Sequence, residues 1–123
     1  MCRKNADSEA VDLDGIPDVV KKELDEIKMS GGYKAVRAGN TFYLIAASGE
    51  RPTGGYSIKI YSARSSETGS TDVFTLVHSP RPGDMVTQAV TYPYDIRVIK
   101  PSEDVSRIRF LDNKGNVLKV VEF

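Results

Sequence analysis

Thr41-Phe42-Tyr43-Leu44-Ile45-Ala46-Ala47-Ser48 decides the fold of this chain. Its apolar run, Phe42 to Ala47, is six residues long, too short to cross a bilayer. Directly ahead, Gly39-Asn40 is a two-residue hairpin signal, and Tyr33 to Ala38 alternates before it. Thr41 to Ser48 therefore reads as the returning strand of a hairpin. A strand that is apolar without alternation is covered on both faces, so this one is expected at the centre of a sheet.

Downstream, Tyr56 to Ala63 alternates, with Tyr56, Ile58 and Ile60 on one face and Ser57, Lys59 and Tyr61 on the other. Residues 64–70 read as a turn and Val73 to Ser79 as a strand, broken by Pro80-Arg81-Pro82-Gly83-Asp84. Met85 to Thr91 reads as a short strand, interrupted by Tyr92-Pro93. Tyr94 to Lys100, Val105 to Leu111 and Val117 to Phe123 come next, the last two joined by Asp112-Asn113-Lys114-Gly115-Asn116, whose late glycine favours a bulged hairpin turn. Upstream, residues 1–14 are polar and aperiodic and read as a flexible tether. A helix is expected over 16–30: Asp14 or Gly15 near its N-cap, Pro17 in its first turn, Val20, Leu24 and Ile27 on one face, and Gly31-Gly32 as its stop. One helix and seven or eight short strands predict a single mainly β domain over 15–123. Its form is an antiparallel β-sandwich or partly open barrel with one N-terminal α-helix. Strands do not alternate with helices, which argues against a doubly wound nucleotide fold.

Composition narrows the function. The 123 residues carry 17 basic and 17 acidic side chains, a formal net charge of zero, which argues against a generic nucleic-acid binder. Cys2 is the only cysteine and His78 the only histidine, so an internal disulfide, a cysteine-rich zinc site and a multi-histidine site are excluded, and no cofactor is expected. Met1-Cys2-Arg3-Lys4-Asn5-Ala6-Asp7-Ser8-Glu9 allows two readings. A cysteine followed by a polar tether is how a mature bacterial lipoprotein starts, with Cys2 as lipid anchor and membrane tether. The plain reading is a cytosolic N-terminus with an ordinary cysteine.

No catalytic constellation stands out. His78 falls on the face of Phe74 and Leu76 and reads as a partly buried strand-end histidine with a structural hydrogen bond; a hydrolase using it as base is the weakest reading. There is neither a Gly-x-Ser-x-Gly elbow nor a phosphate-loop pattern. Asp12-Leu13-Asp14-Gly15 fails as a calcium loop because Ile16 offers no side-chain oxygen.

The informative segment is Gly49-Glu50-Arg51-Pro52-Thr53-Gly54-Gly55-Tyr56. Pro52 fixes one torsion, and Gly54 and Gly55 permit positive ones. Such a loop can turn backbone N–H groups outward to meet an anion or an extended peptide, with Arg51 adding charge. The bland reading is a tight turn between two strands. Tyr56, Tyr92 and Tyr94 flank Gly or Pro and either anchor an interface or cap the core.

Residues 49–58, ending Gly54-Gly55-Tyr56-Ser57-Ile58, resemble the signature of the PrcB C-terminal domain family. A second block does so too, Pro80-Arg81-Pro82-Gly83-Asp84-Met85-Val86-Thr87-Gln88-Ala89-Val90-Thr91-Tyr92-Pro93-Tyr94. Its pattern is a Pro-x-Pro-Gly turn, a Val-x-Gln-Ala stretch and a Pro-Tyr before a strand. The resemblance implies a bacterial, often extracytoplasmic, β-rich accessory domain. The family's namesake supports the maturation or stability of a surface protease complex, without catalysis. Pro52-Thr53-Gly54-Gly55-Tyr56 is also similar to the Asn-Pro-Thr-Thr-Gly-aromatic loop of chagasin-like cysteine-protease inhibitors, with Arg51 in place of the Asn and Gly54 in place of the second Thr.

The resulting expectation is a non-enzymatic protein-interaction module at the bacterial cell envelope, with a protease or protease complex as partner. Arg51, Pro52, Thr53, Gly54, Gly55, Tyr56, Pro82, Gly83, Gln88, Tyr92, Pro93 and Tyr94 would form one contact surface. The alternative is a chagasin-like inhibitor using the 51–56 loop.

Overall fold

Val20, Leu24 and Ile27 recur at helical spacing and form the buried face of α1 (Asp18–Lys28), in a computed structural model that describes residues 4–5, 8–10, 16–39, 41–65, 69–100 and 105–123. The helix is shorter at each end than the 16–30 expectation. Pro17 stands at the N-cap with extended torsions, φ −60 and ψ 153, not inside the first turn. Its carbonyl accepts from the N–H groups of Val20 and Lys21 at 3.0 and 3.2 Å. The expected caps Asp14 and Gly15 lie outside the described residues, as does Cys2. At the far end Gly31 takes φ +81 and donates to the Ile27 carbonyl at 2.7 Å, the left-handed ending that glycine accepts without a Cβ clash.

Among the described residues, nine strands make two sheets. The first holds β1 (Lys4–Asn5), β5 (Ser57–Ser65), β6 (Ser70–His78), β8 (Arg107–Leu111) and β9 (Val117–Glu122), in that order. The second holds β2 (Ser8–Ala10), β7 (Tyr94–Ile99), β4 (Thr41–Ala47) and β3 (Gly32–Ala38). Within the stretch expected as a tether, β1 and β2 thus add short strands beside β5 and β7. Ala38 pairs with Thr41 and Gly39 takes φ +64; Asn40, the other residue of the expected hairpin turn, lies outside the described residues. The pairings are antiparallel except β6 with β8, which is parallel.

The apolar strand β4 is covered on both faces, as its composition requires. Phe42, Leu44 and Ala46 join Ile58, Ile60, Val73, Ile99, Ile108 and Phe110 between the sheets. Ile45 and Ala47 meet Val20, Leu24, Ile27 and Ile96 under the helix. The architecture is a β-sandwich with α1 laid on the outer face of the four-stranded sheet. Lys34 of β3 ties the helix down through Glu23 and Glu26. Those bonds hold the Glu26 carboxyl below its usual range and raise the Lys34 ammonium above its own.

Two strand readings need correction. The alternation of Tyr56 to Ala63 breaks at a bulge: Ile60 pairs with Thr75 and Ser62 with Phe74, leaving Tyr61 extra. Ala63, not Ser62, is therefore the next residue after Ile60 to enter the core. The Ile60 N–H at the bulge donates to Asp95 Oδ2, reaching over from β7 in the other sheet, at 2.8 Å. Met85 to Thr91 is not a strand; among the described residues its one ladder contact is the bridge of Arg51 to Thr91. His78 is exposed at the end of β6, not partly buried.

The buried polar groups of β6 are satisfied. Thr75 Oγ1 donates to the Leu111 carbonyl at 3.0 Å, and the Asp72 carboxylate receives two parallel bonds from Arg109, at 2.8 and 2.9 Å.

Candidate functional site

The connections β4–β5 and β6–β7 lie against one another and form a double loop. Its base is fixed by backbone. The Glu50 N–H donates to the Met29 carbonyl at 2.9 Å and the Ser48 N–H to the Pro93 carbonyl at 3.0 Å. Gly31 and Gly49 touch so closely that a Cβ on either would stand 3.2 Å from the other's backbone nitrogen.

Above the base, Arg51 and Thr91 exchange two backbone bonds, at 2.8 and 2.9 Å, and the Gly54 N–H donates to the Thr87 carbonyl at 2.9 Å. Thr91 Oγ1 donates to the Thr53 carbonyl at 3.0 Å. The adjacent glycines permit this clasp sterically. A Cβ on Gly54 would lie 2.3 Å from Thr87 Oγ1, and one on Gly55, at φ +88, 2.7 Å from Val86 Cγ1 and 3.0 Å from Pro80 Cβ. The backbone donors that the sequence suggests are turned outward are therefore spent inside the molecule at Arg51 and Gly54. The glycine pair makes room for residues 80–87, not for a visitor's backbone.

What the double loop offers outward is side chains. The Arg51 guanidinium lies over the Tyr56 ring, 5.1 Å from its centre, and the Arg51 Nε is buried without a hydrogen-bond partner. Tyr92 donates its hydroxyl to Glu50 Oε1 at 3.0 Å, and that bond to a carboxylate pushes the Tyr92 phenol upward. The outer loop turns at residues 81–84. There Asp84 donates its N–H to the Arg81 carbonyl at 3.0 Å, accepts from the Arg81 N–H through Oδ2 at 2.7 Å, and is joined by Gly83 at φ +90. Beyond the turn, Met85 is fully exposed and Val90 is 53 % exposed.

Contacts join Arg51, Thr53, Gly54 and Gly55 of one loop to Pro80, Val86, Thr87 and Thr91 of the other, and Glu50 to Tyr92; Pro52 and Tyr56 lie on the first loop and Pro82, Gly83 and Gln88 on the second, with Pro93 at the base of the double loop. Tyr94 does not belong to it. Its ring packs with the helix-side cluster, under Lys28 Nζ at 5.5 Å from the ring centre. Met85 and Val90 are the residues that sequence reasoning missed. The signal was present in the Pro-Gly-Asp turn ahead of Met85, but a strand reading of 85–91 hides it. Among the described residues no group of three His, Cys, Asp or Glu side chains could hold a metal ion, and no helix is long and apolar enough to cross a membrane.

The sequence model of the family described as PrcB C-terminal matches residues 42–100, from β4 to the end of β7, and so spans the whole double loop. No curated protein and no solved structure matches the chain.

Proposed function

We propose, from the match of residues 42–100 to the family model described as PrcB C-terminal, that the protein is a non-catalytic accessory domain of the bacterial cell envelope. Its double loop binds a protein partner, a protease or protease complex. One observation carries this reading: residues 80–91 are fastened across Gly54-Gly55 by backbone bonds, so an otherwise irregular segment holds the fully exposed Met85 and the half-exposed Val90 in fixed positions. A prearranged apolar group loses little freedom on binding, and unbranched methionine adapts to an uneven pocket. The Arg51–Tyr56 stack supplies a rigid neighbour of the kind enriched in interfaces.

The inhibitor alternative requires residues 52–55 to enter a protease cleft. The Thr53 carbonyl and the Gly54 N–H are engaged by Thr91 and Thr87, which favours the accessory reading. In an affinity capture from envelope extract of the native host, Met85→Glu/Val90→Glu should lose a protein that the wild type and Lys114→Glu both recover. Equal recovery by all three would overturn the proposal, and saturable inhibition of a papain-like protease would replace it with the inhibitor. Envelope attachment through Cys2 predicts added lipid mass on the protein isolated from its host.

A further inference from the structure

The two sheets of the sandwich differ on their outer faces. The four-stranded sheet is covered by α1, while the five-stranded sheet carries an apolar row that alternation turns away from the core. The row begins at Tyr61, whose ring centre is 6.2 Å from that of Phe74. Phe74, half-buried, is paired across to Leu111, itself buried at 6 % exposure, and Leu111 is paired to Val117 beside a bulge. In-register partners in a sheet point to the same face, so the row runs over β5, β6, β8 and β9, about 14 Å at the usual strand spacing. Leu76 extends it two residues along β6. Tyr61, Leu76 and Val117 are between 44 % and 50 % exposed.

The rims of the row are charged. Lys59 stands beside Leu76 on one side. On the other, Arg64, Asp72 and Arg109 line up across β5, β6 and β8, with Arg107 and Glu122 beyond them. Arg109 is bound to Asp72 and Arg107 to Glu122. Among the described strand residues of this face there is therefore a basic surplus, Lys59 and Arg64, on opposite sides of an apolar strip about as wide as a helix.

The molecule itself shows what covers such a face. On the other sheet, an amphipathic helix sets Val20, Leu24 and Ile27 on the strands and meets a strand lysine, Lys34, with the flanking acids Glu23 and Glu26. We propose that the outer face of the five-stranded sheet docks an amphipathic helix of a partner protein, apolar along one stripe and acidic on its flanks. This surface is separate from the double loop and shares no residue with it.

The probe is a fluorescein-labelled synthetic helix of 18 residues, Leu at i, i+3, i+4 and i+7 positions and Glu on both flanks, titrated with the full chain and read by anisotropy. Binding should be saturable and weaken about tenfold for Leu76→Glu and for Val117→Glu. Both positions are exposed, and an unchanged melting temperature would show that each variant folds. A probe with Lys in place of Glu should bind about tenfold more weakly at low salt, and the difference should shrink as salt screens the rims. Absence of binding, equal binding by both variants, or indifference to the sign of the flanks would overturn the proposal. So would a concentration-dependent dimer that Leu76→Glu abolishes, which would assign the face to a second copy. None of these results bears on the double loop, which Met85→Glu tests separately.

Discussion

Gly55→Ala separates the steric demand of the clasp from the ordinary cost of a left-handed backbone. Gly55 and Gly83 have nearly the same torsion, φ +88 and φ +90. A Cβ on Gly55 meets Val86 Cγ1 at 2.7 Å and Pro80 Cβ at 3.0 Å, whereas one on Gly83 meets nothing within 4 Å. Holding alanine in the left-handed region costs about 1–2 kcal/mol at either site. Forcing Val86 off its rotamer adds about 0.5–1.5 kcal/mol at residue 55 alone. Gly55→Ala should therefore cost about 1.5–3.5 kcal/mol and Gly83→Ala about 1–2 kcal/mol. In urea the two midpoints should differ by roughly 0.5 M at a slope typical of small domains. Adding Val86→Ala to Gly55→Ala should return most of the difference, a coupling that a double-mutant cycle measures. Amide exchange supplies the local readout: Gly55→Ala should speed exchange at Gly54 and Thr91, and Gly83→Ala should leave both unchanged. Equal midpoints for the two variants, or undisturbed exchange at Gly54 in Gly55→Ala, would refute the clasp.

Asp95→Ala removes the acceptor of the Ile60 N–H and should cost about 1–3 kcal/mol in thermal unfolding, because the donor lies between the sheets. Thr75→Val keeps the shape but loses the bond to the Leu111 carbonyl and should cost about 1 kcal/mol by urea unfolding. Lys34→Gln should change the pH profile of stability. The lowered Glu26 value means its contribution is complete above the ordinary carboxylate range and is lost as pH falls through the folded value. The raised Lys34 value means its contribution is present below the ordinary lysine range and is lost as pH rises through the folded value. Melting temperatures of wild type and Lys34→Gln should therefore differ near neutrality and converge at both extremes.

Much of the scaffold is legible in the sequence because it arises from local periodicity. Val20, Leu24 and Ile27 announce a helix face. The unbroken run Phe42 to Ala47 announces a strand with one side on the opposite sheet and the other under that helix. The bulge at Tyr61 is not legible, since one extra residue leaves the alternation of Tyr56 to Ile60 intact and shifts only Ser62 and the residues after it. Nor is the parallel pairing of β6 with β8, which depends on tertiary placement and not on either strand's own pattern. At the site, Pro52, Gly54 and Gly55 mark a special loop, but a glycine pair looks the same in sequence whether it admits a partner or another part of its own chain. Residues 80–91 decide between these, and their apolar positions, Met85, Val86 and Val90, mimic a strand while serving as clasp and exposed apex. Tyr94 misleads for a related reason: Pro93 sets it beside the loop in sequence, but the pairing of Tyr94 with Ala47 carries its ring to the helix.

The most direct measurement is site-specific photocrosslinking in the native host, with a benzophenone side chain at Met85 and, as a control, at Lys114 in the β8–β9 turn. The double-loop account predicts one discrete protein adduct from position 85 and none from 114, and loss of the position-85 adduct when Val90→Glu is introduced. An adduct from 114 with none from 85, or an adduct at 85 indifferent to Val90→Glu, would contradict it.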